Sequence, residues 1–204
     1  MRKSIIAVVL SAFLLVFSIS PVRASSSYSP QSPEVIIEPN AIGITSAEVD
    51  EIVASHPEAG RITIHEHYES LPTITPRSYS NISKTVTDKN VLLKRSFVIS
   101  VARGQTVTLS EEWSDTVNVS VTGDLTSAQL GLNASIKATY AVSNVFTGPD
   151  APYNSRDYYV RFYGRKGTWK AYFVYDINPA RQEWVYGTFT EPTHYSSYSV
   201  DKQV

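Results

Sequence analysis

Cysteine is absent from this chain of 204 residues, and methionine occurs only once. The chain can therefore form no disulfide, which excludes the small disulfide-rich class of secreted modules. It also has no thiol nucleophile, no Gly-x-Ser-x-Gly turn, no His-Glu-x-x-His segment and no glycine-rich phosphate loop. Because these signatures of hydrolases and nucleotide-binding enzymes are missing, we expect a protein without enzymatic activity.

Long apolar runs are also lacking, except at the N-terminus. Residues 5–19 are almost continuously apolar, two basic residues precede them, and Val22-Arg23-Ala24 follows. This three-part pattern predicts a secretory signal peptide over 1–24, since a run of about 15 residues is shorter than the ~20 that cross a bilayer. We expect a secreted chain, extracellular or at the cell surface. Export without cysteine indicates a small secreted protein of Gram-positive bacteria.

An excess of positive charge is missing as well. The chain has 18 basic and 19 acidic residues, and the signal peptide carries three of the bases and no acid. The remainder has 15 basic and 19 acidic residues, a net charge of −4 (15 − 19), which disfavours nucleic acid as a partner. Eight acids and one base lie in 34–69, whereas six bases and two acids lie in 156–181. The acidic segment 34–69 and the basic segment 156–181 could attract each other across the fold, or each could face a partner of its own.

The rest of the chain reads as one domain preceded by a linker. Prolines among serines predict a flexible linker over 25–44. Thr45-Ser46-Ala47-Glu48 matches a capping box and predicts a short helix over 46–55. We assign 45–204 to a single β-rich domain, which is long enough to bury a core of its own.

Strand signals dominate that domain. Apolar and polar residues alternate over 116–122 and again over 130–142, which predicts a β-hairpin with one apolar and one hydroxyl-rich face. Strand signals continue from residue 84 onward, and further strands are predicted over 62–68, 96–101, 106–110, 158–163, 168–175, 183–190 and 198–200. A loop is predicted over 70–83 and turns at 103–105, 164–167 and 176–179. The pattern predicts a mainly β fold, an antiparallel sandwich or barrel with one short N-terminal helix.

The alternating hairpin has two interpretations. In the first, its apolar face is half of an ordinary core and is covered by another part of the chain. In the second, it inserts into a membrane, for which strands of about 9–11 residues are needed. Residues 96–143 are rich in serine and threonine, and in this they resemble the strands of aerolysin-type β-pore-forming proteins. The resemblance implies a secreted protein that oligomerises and inserts the 113–143 hairpin.

Aromatic residues are concentrated in 153–189. Twelve rings are more than one core needs, so we expect some of them to line a surface beside basic residues. Such a surface would stack on sugars or grip an anionic polymer, although aromatic pairs that stabilise a sheet give the same pattern. The residues that we select for binding are Tyr159, Arg161, Tyr163, Lys170, Tyr172, Trp184 and Tyr186.

Two histidines are weak candidates for metal binding. On a strand, His65, His67 and Glu69 would share one face, and His56 and His194 are further donors elsewhere in the chain. Zinc or copper prefers such ligands, but no complete ligand set is evident. We therefore expect no metal and no cofactor.

The function that these patterns favour is non-enzymatic binding of a cell-wall or extracellular polymer through an aromatic–basic sheet. A membrane-active, pore-forming hairpin is the first alternative. A small secreted hydrolase is the second, with Glu111, Glu112 and Asp115 beside Trp113 as the nearest candidates for the two acids of glycoside hydrolysis.

Overall fold

A computed structural model describes residues 32–70, 81–174 and 182–203. The predicted signal peptide, the first part of the predicted linker, most of the predicted loop over 70–83 and the predicted turn at 176–179 lie outside these residues. In chain order the strands are β1 (Glu34–Ile37), β2 (Ala59–Glu69), β3 (Ser83–Ala102), β4 (Thr106–Thr108), β5 (Trp113–Asn118), β6 (Ser120–Val121), β7 (Ser135–Tyr140), β8 (Val145–Thr147), β9 (Ser155–Val174) and β10 (Gln182–Lys202). The helices are α1 (Ser46–Ala54) and α2 (Ser127–Leu130), and Pro39–Ala41 forms a 3₁₀ turn.

The principal sheet is built on two long strands, β9 and β10, which pair antiparallel over their whole lengths. The order across the sheet is β1-β2-β10-β9-β3, and β6 adds to β10 beyond the end of β2. β1 runs parallel to β2, and the other pairs are antiparallel. Two small two-stranded sheets, β4–β8 and β5–β7, complete a sandwich-like arrangement. The predicted mainly β fold is confirmed.

One face of the principal sheet is covered by α1. Thr45 and Glu48 form the predicted capping box, in which each side chain accepts a hydrogen bond from the backbone N–H of the other. The helix therefore begins where the sequence predicts, and it buries Ile52 against the sheet. The core on this face consists of Ala41, Ile52, Ala59, Ile62, Ile64, Tyr198 and Val200.

The opposite face of β9 is covered by the β5–β7 pair. Ile136 and Ala138 of β7 are buried with Val160 and Phe162 of β9. Farther along β9, a second buried group on the other side of the strand joins Leu130 and Leu132 to Trp169, Ala171 and Phe189. The apolar face of the predicted hairpin is thus packed against the aromatic strands.

The hairpin itself differs from the prediction. The segment predicted as one strand over 130–142 contains the end of α2 and a strand of only six residues, β7. A capping box of Thr126 and Gln129 starts α2, and Gly131 ends it with a φ of +60°. These local signals override the alternating pattern around Leu130 and Leu132, both of which are nevertheless buried.

The predicted turn at 164–167 is wrong, because β9 continues through it. Gly164 and Gly167 are required by close packing: an added Cβ would lie 2.3 Å from the Glu191 carbonyl oxygen and 2.4 Å from the Thr85 carbonyl oxygen, respectively. β10 likewise continues past Pro192, where the prediction places its end. Thr193 is an extra residue in the register, and this bulge accommodates the proline.

The predicted linker over 25–44 also needs correction in its described part. Residues 34–37 form β1, which pairs with β2, and the 3₁₀ turn follows. Ala41 is completely buried in the core below α1. Prolines are compatible with an edge strand and with the first position of a 3₁₀ turn, so their presence does not require a linker.

Removal of a ring from the core between β9 and β7 tests this packing. Phe162 is completely buried between Ile136 and Tyr195. We expect Phe162→Ala to lower the free energy of unfolding by about 3–5 kcal/mol, measured by urea denaturation. Val142→Ala is the control: Val142 is 48 % exposed, so its replacement should change the free energy by no more than about 0.5 kcal/mol. Equal effects of the two variants would contradict the packing.

The buried His56 predicts a dependence of stability on pH. Its Nε2 lies 3.1 Å from the Tyr198 hydroxyl, and burial, with the nearby charge of Arg95, lowers its pKa below 6.5. Below pH 6.5 the unfolded chain therefore binds a proton that the folded protein excludes, and stability falls. The advantage of the wild type over His56→Asn in free energy of unfolding should shrink between about pH 7.5 and about pH 5. A constant or growing advantage would contradict the assignment.

Candidate functional site

The seven residues predicted to bind a polymer divide into two groups. Tyr159, Arg161 and Tyr163 lie on the half of β9 that α1 covers. A binding surface requires all three side chains to be exposed, and for Arg161 and Tyr163 the prediction is wrong, since both are buried. Tyr159 is partly buried and stacks on Tyr198 at 5.4 Å between ring centroids.

Arg161 has a structural environment of its own beneath α1. Its guanidinium donates to the Ser55 hydroxyl at 2.7 Å and lies 3.8 Å from the Glu51 carboxylate. It also contacts the Tyr163 hydroxyl at 3.4 Å. The charge is thus met by groups of the helix that covers it, and this contact joins the acidic N-terminal segment to the basic C-terminal one.

The other four predicted residues lie together on one exposed face at the far end of β9 and β10. Trp184 is directly opposite Tyr172, and Tyr186 is directly opposite Lys170. Directly opposite residues in an antiparallel pair point to the same side, as do residues two apart on a strand. Trp184 is 46 % exposed and Tyr186 is 67 % exposed.

Contacts among these four side chains fix their arrangement. The Lys170 ammonium lies 5.3 Å from the Trp184 ring centroid, within the range of a cation–π interaction. The Tyr172 and Trp184 rings are 5.2 Å apart and inclined at 57°. The charge of Lys170 is therefore held beside two rings.

A row of threonines continues the same face, a feature that our sequence analysis missed. Thr85 is opposite Thr168, and Thr168 is opposite Thr188. The Thr188 hydroxyl is 2.9 Å from that of Thr122, so the row crosses four adjacent chain segments. All four threonines are exposed, and neighbouring strands in a sheet are about 4.8 Å apart. Together with Lys170, Tyr172, Trp184 and Tyr186, they form what we name the aromatic–threonine face.

A groove of about 560 Å³ follows this face. It is lined by Ser83, Thr85, Thr168, Trp169, Lys170, Tyr186, Gly187 and Thr188. Trp169 is buried on the other side of β9, with its indole N–H donating to the Thr122 carbonyl at 3.1 Å, and it supports the floor of the groove. The groove therefore joins hydroxyl groups, rings and one ammonium on a firmly packed base.

A second cluster of polar groups lies around His67 and His194. A β-bulge in β2 determines which histidines meet, because Ile64 pairs with Tyr198 and Glu66 pairs with Ser197, which leaves His65 as the extra residue. An extra residue reverses the alternation of side chains. The prediction that His65 and His67 share a face is therefore wrong: His65 contacts Ser199 and stacks on Tyr158.

His67 instead meets His194 and Glu48. The two imidazole centroids are 5.0 Å apart, and the His194 Nε2 lies 2.6 Å from the Glu48 Oε1. The bulge at Thr193 places His194 opposite Tyr163, on which its ring stacks at 5.1 Å. The cluster adjoins a pocket of about 330 Å³, whose lining also includes Gly43, Glu69, Lys89, Asn90 and Arg165.

The environment of the cluster sets its protonation. Burial raises the pKa of Glu48, but hydrogen bonds from His194 and from the Thr45 N–H outweigh that effect, and the pKa lies below 4.5. Burial, aided by the charge of His194, lowers the pKa of His67 below 6.5. At neutral pH Glu48 is therefore a carboxylate, and the His67 ring is predominantly neutral.

The acids considered for glycoside hydrolysis have cations as neighbours. The Asp115 carboxylate accepts hydrogen bonds from Lys94, at 2.7 Å, and from Ser96. Glu112 lies 3.7 Å from Lys137, and Glu111 is exposed. Burial raises the pKa of Asp115, but the hydrogen bonds from Lys94 and Ser96 outweigh that effect and hold the pKa below 3.8. An ionised Asp115 and the Glu112–Lys137 contact suit surface ion pairing better than proton donation to a glycosidic oxygen.

Comparisons of the chain with protein-family models, with curated proteins and with solved structures found no match. Across 32–70, 81–174 and 182–203, neither α-helix has the length and apolar character needed to cross a membrane.

The exposure of Trp184 is directly measurable. Of the tryptophans, Trp169 is buried and Trp113 is half-buried, so acrylamide should quench Trp184 most strongly. We expect Trp184→Phe to reduce the slope of a quenching plot, because the variant loses its most accessible indole. Trp113→Phe is the matched control and should reduce the slope less. A slope that Trp184→Phe leaves unchanged would show that this ring is covered in solution.

Proposed function

We propose that this chain is an exported protein that binds a cell-wall or extracellular polysaccharide through the aromatic–threonine face. The observation that carries the proposal is the exposure of Trp184 and Tyr186 side by side at the edge of the threonine row. Large rings left in water on a well-packed sheet are informative, because burying them would contribute to stability. Their position beside ordered hydroxyls suits a partner that is partly apolar and partly polar.

Sugar rings have that mixed character. A pyranose presents C–H groups on its faces and hydroxyls around its edge, so it can stack on an indole or phenol ring while hydrogen-bonding to its surroundings. Threonine hydroxyls both donate and accept, and a row of them can satisfy sugar hydroxyls of either role. A row of hydroxyl groups that crosses four adjacent chain segments suits an extended polymer better than a small molecule, which a pocket encloses on most sides.

Lys170 adds a preference for anionic polymers. Its ammonium lies beside Trp184, where it can meet a carboxylate or phosphate carried by a sugar stacked on the ring. An exposed charge pair of this kind weakens as salt screens it. Salt dependence therefore distinguishes an anionic polymer from a neutral one.

The two alternative functions fit the described residues less well. A membrane-inserting hairpin would have to release Ile136 and Ala138 from the core that they share with Val160 and Phe162. A glycoside hydrolase would need two carboxylates facing each other across a substrate, whereas Glu112 and Asp115 each lie beside a lysine. We therefore prefer the binding function.

Sedimentation with insoluble polymers tests the proposal. The purified protein should co-sediment with at least one of peptidoglycan bearing teichoic acid, chitin or cellulose. Trp184→Ala and Tyr186→Ala should each weaken binding about tenfold, equivalent to about 1.4 kcal/mol, through loss of a stacking surface. Lys170→Gln should weaken binding only if the polymer is anionic, and only at low salt.

Tyr68→Ala is the matched control. Tyr68 is 46 % exposed, as Trp184 is, but it lies on β2 and stacks on Tyr195. Its removal should leave polymer binding unchanged. The proposed function would be refuted if the wild type co-sedimented with none of the polymers, or if Tyr68→Ala and Trp184→Ala weakened polymer binding equally.

A further inference from the structure

We infer that Glu48, His67 and His194 form a binding site for a transition-metal ion, with Zn²⁺ as the best fit. Each residue offers one ligand atom, and these atoms all lie within 4.8 Å of one another. Two imidazoles and one carboxylate are a donor set that zinc accepts. The site shares no residue with the aromatic–threonine face and is independent of the proposed function.

Hydroxyl groups orient both imidazoles for this role. The His67 Nδ1 lies 3.1 Å from the Ser196 hydroxyl, and the His194 Nδ1 lies 2.9 Å from the Thr193 hydroxyl. The Thr193 hydroxyl can itself donate to the Tyr163 carbonyl, 3.5 Å away, which leaves its oxygen to accept from the imidazole N–H. A partner at Nδ1 leaves the other ring nitrogen, Nε2, as the metal ligand, as is usual around bound metals.

Glu48 is held in place by the start of α1. Its Oε2 accepts a hydrogen bond from the Thr45 N–H at 3.0 Å, and its Oε1 faces the His194 Nε2. The capping box therefore fixes one oxygen and directs the other toward the histidines. An ionised carboxylate and a neutral imidazole are the forms that bind a metal, and the environments of Glu48 and His67 favour them.

A small adjustment accommodates an ion. With bonds of about 2.0–2.1 Å, a tetrahedral zinc keeps its ligand atoms about 3.3 Å apart. The pair formed by Glu48 and His194 would open slightly from its present 2.6 Å, and His67 would move inward. His67 is only partly buried, at the edge of the core. The adjoining pocket leaves room for water at a fourth position.

The alternative is a purely structural role, in which Glu48 and His194 form a buried ion pair that joins α1 to β10. It explains the contact of Glu48 with His194 but gives no role to His67, whose ring centroid lies 5.0 Å from that of His194. A metal ion uses all three groups and both hydroxyl partners. We therefore prefer the metal site.

Calorimetric titration of the chelator-treated protein with ZnCl₂ tests the inference. We expect one Zn²⁺ per chain, and binding at least tenfold weaker in both His67→Ala and Glu48→Gln. Glutamine at position 48 can still accept the Thr45 hydrogen bond, so α1 should remain capped. If that variant nevertheless fails to fold by circular dichroism, His67→Ala decides the question, because His67 lies at the edge of the core.

His65→Ala is the matched control, since His65 is two residues away on the same strand but on the opposite face. It should bind Zn²⁺ as the wild type does. Co²⁺ gives a second readout: the wild type should show visible absorption bands at one equivalent, and His67→Ala should not. Lack of saturable binding by the wild type, wild-type affinity in His67→Ala, or equal weakening by His65→Ala would overturn the inference.

Discussion

The continuous pairing of β9 with β10 is the constraint on which the rest of this structure depends. It fixes the side on which every residue of the two longest strands lies, and it gives β2, β3 and β6 an edge to join. Two extra residues, His65 in β2 and Thr193 in β10, reverse the alternation of side chains locally. His67 and His194 meet Glu48 because of those bulges, whereas Trp184 and Tyr186 stay aligned because the pairing over 182–192 is regular.

The coverage of the two long strands explains why one end carries an exposed face and the other is core. Around Val160 and Arg161, α1 lies on one face and the β5–β7 pair lies on the other, so even an arginine is enclosed. Around Lys170 the buried group of Trp169 and Phe189 occupies only one face. The face left open there carries threonines, rings and a lysine, a composition that suits a hydrated partner.

Local signals predicted much of this fold. The capping box of α1, the strand character of β2 and β3 and the apolar side of β7 all follow from spacing in the sequence. The turn predicted at 164–167 is absent because close approach of a neighbouring strand requires glycine, which lacks a Cβ, as much as a turn does.

The candidate site was predicted only in part: four of the seven selected binding residues share one face. Burial of Arg161 and the contact of Glu48 with His194 depend on how α1 docks, and no local pattern encodes that. The threonine row depends on register between segments that are distant in sequence.

Hydrogen exchange at 164–167 tests the continuity of β9 most directly. If β9 and β10 form one uninterrupted ladder, the hydrogen-bonded amides of this segment should exchange nearly as slowly as those around Val160 and Phe162, because they open only with the sheet as a whole. If the glycines instead form a turn between two separate short strands, these amides will exchange as fast as those of exposed loops. That result would contradict the register from which both the aromatic–threonine face and the histidine cluster are derived.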